Sequence, residues 1–265
     1  MIRFLKKTYR CLAHRFFPNT SDRTNQEEVL SINDLDGPPL RFKVTTLVER
    51  YRTAQFGGER EALERLLGAL EPGDTVHDVG ASVGLFTVAA ASNYPESTVV
   101  AFEPDPEINQ RLRTNISLNN LKNVQVVDWA ASKDSGTVDL YTDGVDGFSP
   151  TMRPQQRDGA PSGTVNVEKR PIDEAISDGE IPVPSVLKID IEGAEAFCLE
   201  GCSKLLSGAF GASPRILFVE VHPEFLADYG CTKDNVMEML EDADYQVEWR
   251  QQREEQVHFL CRYRS

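Results

Sequence analysis

Apolar residues recur along this chain with two periods, and the switches between them predict an alternation of strands and helices. Leu63, Leu66, Leu67 and Leu70 form one stripe at helical spacing, within a helical stretch from 46 to 70 that Gly57-Gly58 interrupts. Glu71-Pro72-Gly73-Asp74 ends the stretch and turns the chain. Strands are then predicted at 75–79, 98–103 and 124–128, with helices at 83–92 and 107–118 between them. Residues 137–141 and 164–168 read as further strands, and 172–176 as a short helix. A helix over 195–206 separates two strands, 186–191 and 215–221, whose apolar runs suit burial on both faces. A helix near 234–242 precedes strands 245–250 and 257–262, which a short polar connection joins as a hairpin.

This order predicts an α/β fold of Rossmann-like class, a mostly parallel doubly wound sheet that ends in a C-terminal antiparallel hairpin. Residues 1–45 read as a basic and polar N-terminal segment containing one short strand at 40–44. Residues 46–265 read as one domain that includes the helical part 46–70. The stretch 143–163, rich in Gly, Pro, Ser and Asp, reads as a long loop, either a lid over a substrate or a surface insertion.

In such a sheet the ligand lies beyond the carboxyl ends of the strands. The first of these ends in Asp78-Val79-Gly80-Ala81-Ser82-Val83-Gly84, where glycines let the backbone bend and a ligand approach. The helix that follows offers free N–H groups to an anion such as a carboxylate. Asp78 is placed to accept from an ammonium or from the loop amides. Glu103, at the end of the second strand before Pro104, is placed to accept two ribose hydroxyls. Asp128 and Trp129, at the third strand end, are expected beside a base. The spacing is not that of a dinucleotide site, since the second and third glycines would fall on Ser82 and Leu85. Two later strand ends, Lys188-Ile189-Asp190-Ile191-Glu192 and Glu220-Val221-His222-Pro223, put acidic groups and an imidazole at the same edge.

Charge narrows the partners. The chain has 42 Asp and Glu against 28 Lys and Arg, a net charge of −14, which argues against nucleic acid. Its five cysteines are odd in number and irregular in spacing, as in a reducing compartment, and a cytoplasmic location is expected. Cys198 and Cys202 read as small buried apolar residues. No apolar run approaches the roughly 20 residues of a spanning helix. Residues 1–20 interleave bases with apolar residues, which admits peripheral contact with the inner face of a membrane.

The runs 78–87, Ala101-Phe102-Glu103-Pro104, 187–195 and 218–223 together resemble the FkbM family of methyltransferases, over residues 71–240. The resemblance implies a class I methyltransferase fold, S-adenosylmethionine as cofactor, and O-methylation of a hydroxyl on a sugar, glycan or similar small molecule. A glycan or its lipid-linked precursor is the expected acceptor. On that basis Asp78, Gly80, Gly84 and Glu103 match the donor-binding motifs, and Asp190, Glu192 and His222 match motifs at the reaction edge. Ser82 stands where relatives often carry Asn. Ala81, Ser82, Pro104, Asp128, Trp129 and Asp190 join the expected donor site by position. His222 is the first choice for the catalytic base, with Glu192 and Asp190 as alternates and Glu220 as a support. A divalent cation bridging Asp190 and Glu192 is left open, and no metal ligand is assigned. Two other classes stay in view: a nicotinamide-dependent sugar oxidoreductase, for which Tyr229 and Lys233 give a match to Y-x-x-x-K, and a non-catalytic binding module.

Overall fold

The computed structural model describes residues 23–142, 144, 150–152, 163–253 and 256–264. The basic segment 1–20 and most of the loop 143–163, with the membrane and lid expectations that rest on them, lie outside the described residues.

The chain opens with a hairpin, β1 (Arg23–Ile32) and β2 (Leu40–Thr46), followed by α1 (Leu47–Ala54) and α2 (Arg60–Ala69). Next come β3 (Thr75–Val79), α3 (Leu85–Asn93), β4 (Thr98–Phe102), α4 (Pro106–Leu118) and β5 (Val124–Val127). A short excursion follows through β6 (Ala130–Ala131), β7 (Gly136–Thr142), β8 (Gly163–Arg170) and α5 (Ile172–Ser177). Then come β9 (Val186–Ile189), α6 (Glu195–Glu200), α7 (Ser203–Leu206), β10 (Ile216–Val221) and α8 (Pro223–Leu226). The described chain closes with α9 (Lys233–Asp242), β11 (Tyr245–Arg253) and β12 (Gln256–Tyr263).

The central sheet has the strand order β11-β12-β10-β9-β3-β4-β5. Strands β3, β4, β5, β9 and β10 run parallel, and β12 lies antiparallel between β10 and β11. This is a Rossmann-like, mostly parallel doubly wound sheet, with the C-terminal hairpin that the sequence predicts. Its strands are apolar because both faces are covered. Leu187, Ile189, Leu217 and Val219 pack in one layer with α6 and α9. Val76, Val186, Ile216 and Phe218 pack in the other with α2, α3 and the fully buried Leu40 and Phe42 of β2. The chain leaves β3 toward β4 on one side and returns to β9 on the other. The switch point, where a crevice opens, is therefore between β3 and β9.

Two elements depart from expectation. Segment 23–32 forms a strand although its polar sequence shows no alternation, because β2 supplies the pairing and docks on α4. Asn115 and Asn119 of α4 accept the backbone N–H groups of Lys43 and Arg41, both at 2.8 Å. The helix predicted over 195–206 is two helices. Asp173 accepts the N–H groups of Lys204 and Leu205 at 2.7 and 2.9 Å and caps α7 as a separate start. Cys198 and Cys202, on either side of the break, are buried free thiols. Among the described residues no helix is long and apolar enough to cross a membrane.

Candidate active site

Side chains alternate faces along a strand, so residues two apart share a side of the sheet. Asp78 pairs in register with Lys188, Lys188 with Phe218, and Glu220 with His258. Asp78, Lys188, Glu220 and His258 therefore line one face, and Gly80, Asp190 and His222 continue that line at the strand ends. The polar groups singled out from separate strand ends are neighbours.

The turn after β3 is built by backbone conformations that few side chains adopt. Gly80, Ser82 and Gly84 have φ of 82°, 51° and 95°. A Cβ on Gly80 would lie 1.8 Å from the carbonyl oxygen of Asp190, so only glycine lets β3 and β9 approach here. Ala81 is buried against Ala101 and Leu112. The Ser82 amide donates to Glu103 Oε2 at 3.0 Å, and the Arg52 guanidinium donates to Ser82 Oγ at 3.3 Å.

Glu103 thus braces the turn from the next strand. Its other oxygen accepts from the Asp105 amide at 2.9 Å, across the half-buried Pro104. Each carboxylate oxygen has a second lone pair left for a ligand hydroxyl. Burial pushes the Glu103 carboxyl up to about 8, and the two amides pull it back only in part. Between its ordinary value of 4.5 and about 8, the folded chain holds a proton that the unfolded chain has released. Stability of the ligand-free protein should therefore fall as pH rises through that window, by an amount on the order of 4 kcal/mol from this group. Urea melts across the window should show a flatter profile for Glu103→Gln; parallel profiles would contradict the assignment.

Two expected donor contacts are placed differently. Asp78 does not face the crevice, because both of its oxygens are held within the protein. One accepts from Thr87 Oγ1 at 2.5 Å and the other lies 2.9 Å from Lys188 Nζ. The ammonium expected for Asp78 is the chain's own lysine. Trp129 is a core residue: its ring packs edge-on to Phe102 with centroids 5.1 Å apart, and Nε1 donates to Glu180. It points into the apolar layer because β5 ends at Val127 and the chain turns. Asp128, between them, is exposed at the strand end.

Lys188 is missing from the sequence-based set although it stands at the centre of the site. It is buried, with Nζ also 3.6 Å from Asp190 Oδ2 and 4.8 Å from the Phe86 ring centroid. Burial works against its charge, but the carboxylates of Asp78 and Asp190 outweigh it and hold the ammonium above its ordinary value.

The catalytic candidates converge at the ends of β9 and β10. His222 Nδ1 lies 2.6 Å from Glu195 Oε1. Its Nε2 faces Glu220 Oε1 at 3.7 Å, and Asp190 Oδ1 and Glu192 Oε2 at 3.9 Å each. Glu192 takes up a positive φ of 50°, and Phe225 stacks on the imidazole. Burial opposes a charge on His222, but Glu192, Glu195 and Glu220 overcome it and hold its proton well above the usual histidine range. Glu220 Oε2 lies 2.9 Å from His258 Nε2. Burial would raise the Glu220 carboxyl, yet the two histidines keep it below its ordinary value. Glu59, tied to Arg253 at 2.7 Å, brings the α1–α2 junction to the far end of β11. His77 points to the opposite face, bonded to the Pro182 carbonyl at 2.9 Å, and burial pushes it down to about 3.

Glu195, His258 and Lys188 escaped the sequence reading. Glu195 was visible in the run 187–195 as the residue four positions after Ile191, inside the predicted helix. Tyr229 and Lys233 do not form a catalytic pair. Tyr229 ends a 3-10 turn, Gly230 reverses the chain at φ 73°, and Thr232 caps α9 before Lys233.

The chain is similar to known proteins in sequence and in fold. A model of the methyltransferase FkbM domain matches residues 78–247. Hexuronic acid methyltransferase AglP of Haloferax volcanii is 27% identical over 217 residues, 82% of this chain and 82% of AglP. The 31-O-demethyl-FK506 methyltransferase FkbM of Streptomyces tacrolimicus is 38% identical over 85 residues, 31% of this chain and 32% of that protein. Among solved structures, yhhF of Escherichia coli has a TM-score of 0.51 at 14% identity, covering 89% of this chain and all of that one. The fibrillarin/Nop5p complex gives 0.50 at 13% identity, covering 78% of this chain and 81% of that one. These two likenesses concern the fold alone.

Proposed function

The chain belongs to the FkbM methyltransferase family, and from that premise we propose that it transfers the methyl group of S-adenosylmethionine to a hydroxyl of a sugar, with a uronic acid or a glycan bearing one as the acceptor class. The observation that carries this reading is the contact between Glu103 and the Ser82 amide, 3.0 Å, which joins a glycine turn at one strand end to an acid at the next. The turn fits the donor because Gly84 opens α3 with φ 95° and no side chain caps it, so the helix N-terminus offers its N–H groups to a carboxylate. Residues 80–84 would hold its amino-acid end, Glu103 its ribose hydroxyls, and the exposed Asp128 its base. The acceptor class follows that of the hexuronic acid methyltransferase AglP, which aligns with this chain over most of both lengths.

When bound, the donor supplies an electrophilic methyl group on a sulfonium. The protein's part is to seat the acceptor oxygen on the approach line and to take its proton. Asp190 and Glu192 are half-buried and the more accessible members of the cluster, with side chains 23% and 13% accessible against 2% for His222. We assign proton acceptance to Glu192, with Asp190 beside it orienting the acceptor. His222 and Glu220 stand behind them and fix their positions. This reverses the order in which the sequence ranks the candidates, because His222 lies deeper and is already charged.

Calorimetry with S-adenosylhomocysteine tests the donor half. Glu103→Ala should weaken binding by roughly 10–100-fold, since it removes two hydrogen bonds to the ribose hydroxyls, each worth about 1 kcal/mol. Labelled methyl transfer to free hexuronic acids and to uronic-acid glycans tests the other half. Equal affinity in the two proteins would remove the reading of Glu103, and absence of any heat with the unaltered chain would remove the donor.

A further inference from the structure

We propose that Asp190, Glu220 and His222 form a binding site for a divalent cation of the manganese class, at the carboxyl ends of β9 and β10. One imidazole nitrogen and two carboxylate oxygens from these residues all lie within 4.8 Å of one another. Two ligands of one such ion stand up to about 4.2 Å apart when each bond is near 2.1 Å. The Nε2 of His222 lies 3.7 Å from Glu220 and 3.9 Å from Asp190, inside that limit and too far for hydrogen bonds. A side-chain shift of a few tenths of an ångström brings the set onto one centre.

The second observation is the direction of His222. Its side chain is 98% enclosed, and its Nδ1 is held by Glu195 at 2.6 Å. When a cation displaces the Nε2 proton, Nδ1 keeps its own proton on Glu195 and the freed Nε2 lone pair is turned toward the oxygens of Asp190, Glu192 and Glu220. A lone pair facing three acceptors is repulsive unless a proton or a cation stands between them. A carboxylate behind the imidazole is the arrangement that orients histidine toward a metal.

The other two ligands are oriented in the same way. Glu220 turns its second oxygen to His258 Nε2 at 2.9 Å. Asp190 turns its second oxygen toward Lys188 Nζ at 3.6 Å. Each ligand thus has one polar atom held from outside and one directed at the common centre. One nitrogen among oxygens favours manganese or magnesium over the softer-ligand metals. The site stands without reference to the donor. Its role, to draw the acceptor's hydroxyl oxygens to this edge, rests on the function proposed above.

Titration of the metal-stripped full chain with Mn(II), followed by electron paramagnetic resonance, decides the matter. One saturable Mn(II) per chain is expected, displaced by excess Mg(II). Glu220→Gln and Asp190→Asn should each abolish the saturable phase. Glu195→Gln, which keeps all three ligands, should weaken it by about 10–100-fold. Glu238→Gln, on the exposed side of α9, should leave it unchanged. Absence of a saturable phase in the unaltered chain, or its survival in Asp190→Asn, would overturn the site. Asp190→Asn, at the rim, carries the test if Glu220→Gln does not fold. Heat of S-adenosylhomocysteine binding, measured on the same samples, keeps failure of the cation site apart from failure of the methyltransferase reading.

Discussion

The His222→Ala protein is expected to turn over roughly 10²-fold more slowly while binding S-adenosylhomocysteine within a factor of about two of the unaltered chain. The split follows from what the imidazole touches. Its partners are Glu195, Glu220, Asp190 and Glu192, all on β9, β10 and the start of α6. It touches neither the turn 80–84 nor Glu103, which are held by the Ser82 and Asp105 amides and by Arg52. Removing it leaves three carboxylates facing one another with nothing between them, so Asp190 and Glu192 move apart and lose the acceptor geometry. A misplacement of about 1 Å at a reacting centre can cost 10²-fold by itself. Single-turnover kinetics against calorimetric affinity separates the two halves. Equal losses of affinity and turnover would mean that His222 holds the whole crevice together, and unchanged turnover would remove it from the reaction.

How much of this was legible beforehand depends on whether a residue's partner lies near it in sequence or across the sheet. The glycine turn and Glu103 were readable because a strand end, a loop and the next strand end follow one another within 30 residues. Lys188 was overlooked because Val186-Leu187-Lys188-Ile189 reads as an apolar strand. Yet a lysine in a strand buried on both faces requires an anion, and the period of two already pairs it with Asp190. His258 was beyond reach of local pattern. It meets Glu220 only because β12 inserts between β10 and β11, and that register is fixed by pairing rather than by spacing.

Trp129 shows the opposite failure. A residue next to a strand end was expected to line the crevice, but a large ring is more stable against Phe102 than in water, and the shorter Asp128 takes the exposed place. Segment 23–32 carries polar residues because its strand has one partner only and pairs through its backbone. In each case the local rule was sound, and tertiary pairing decided which residue it applied to.

Lys188→Met should be the most destabilising single change at this edge, by about 3–5 kcal/mol, which for a chain of this size lowers the melting temperature by roughly 10 °C. Methionine fills the same volume beside Phe86 but removes the charge. Asp78 then keeps a buried carboxylate with Thr87 as its remaining hydrogen-bond partner, in a place 2% exposed. A buried charge stripped of its counter-ion costs far more than the pair contributes when intact. The cost should therefore shrink when Asp78 is neutralised as well. Lys188→Met with Asp78→Asn is expected to recover more than half of the lost stability, because the double change leaves no orphan charge. Donor affinity should not recover with it. Lys188 also reaches the Gly80 carbonyl at 3.4 Å, and the turn loses that tether in both proteins. Recovered stability without recovered binding would mark the lysine as the link between the core of the sheet and the turn that receives the donor. A loss near 1 kcal/mol in the single variant, or additive losses in the double, would show that Asp78 does not depend on the lysine.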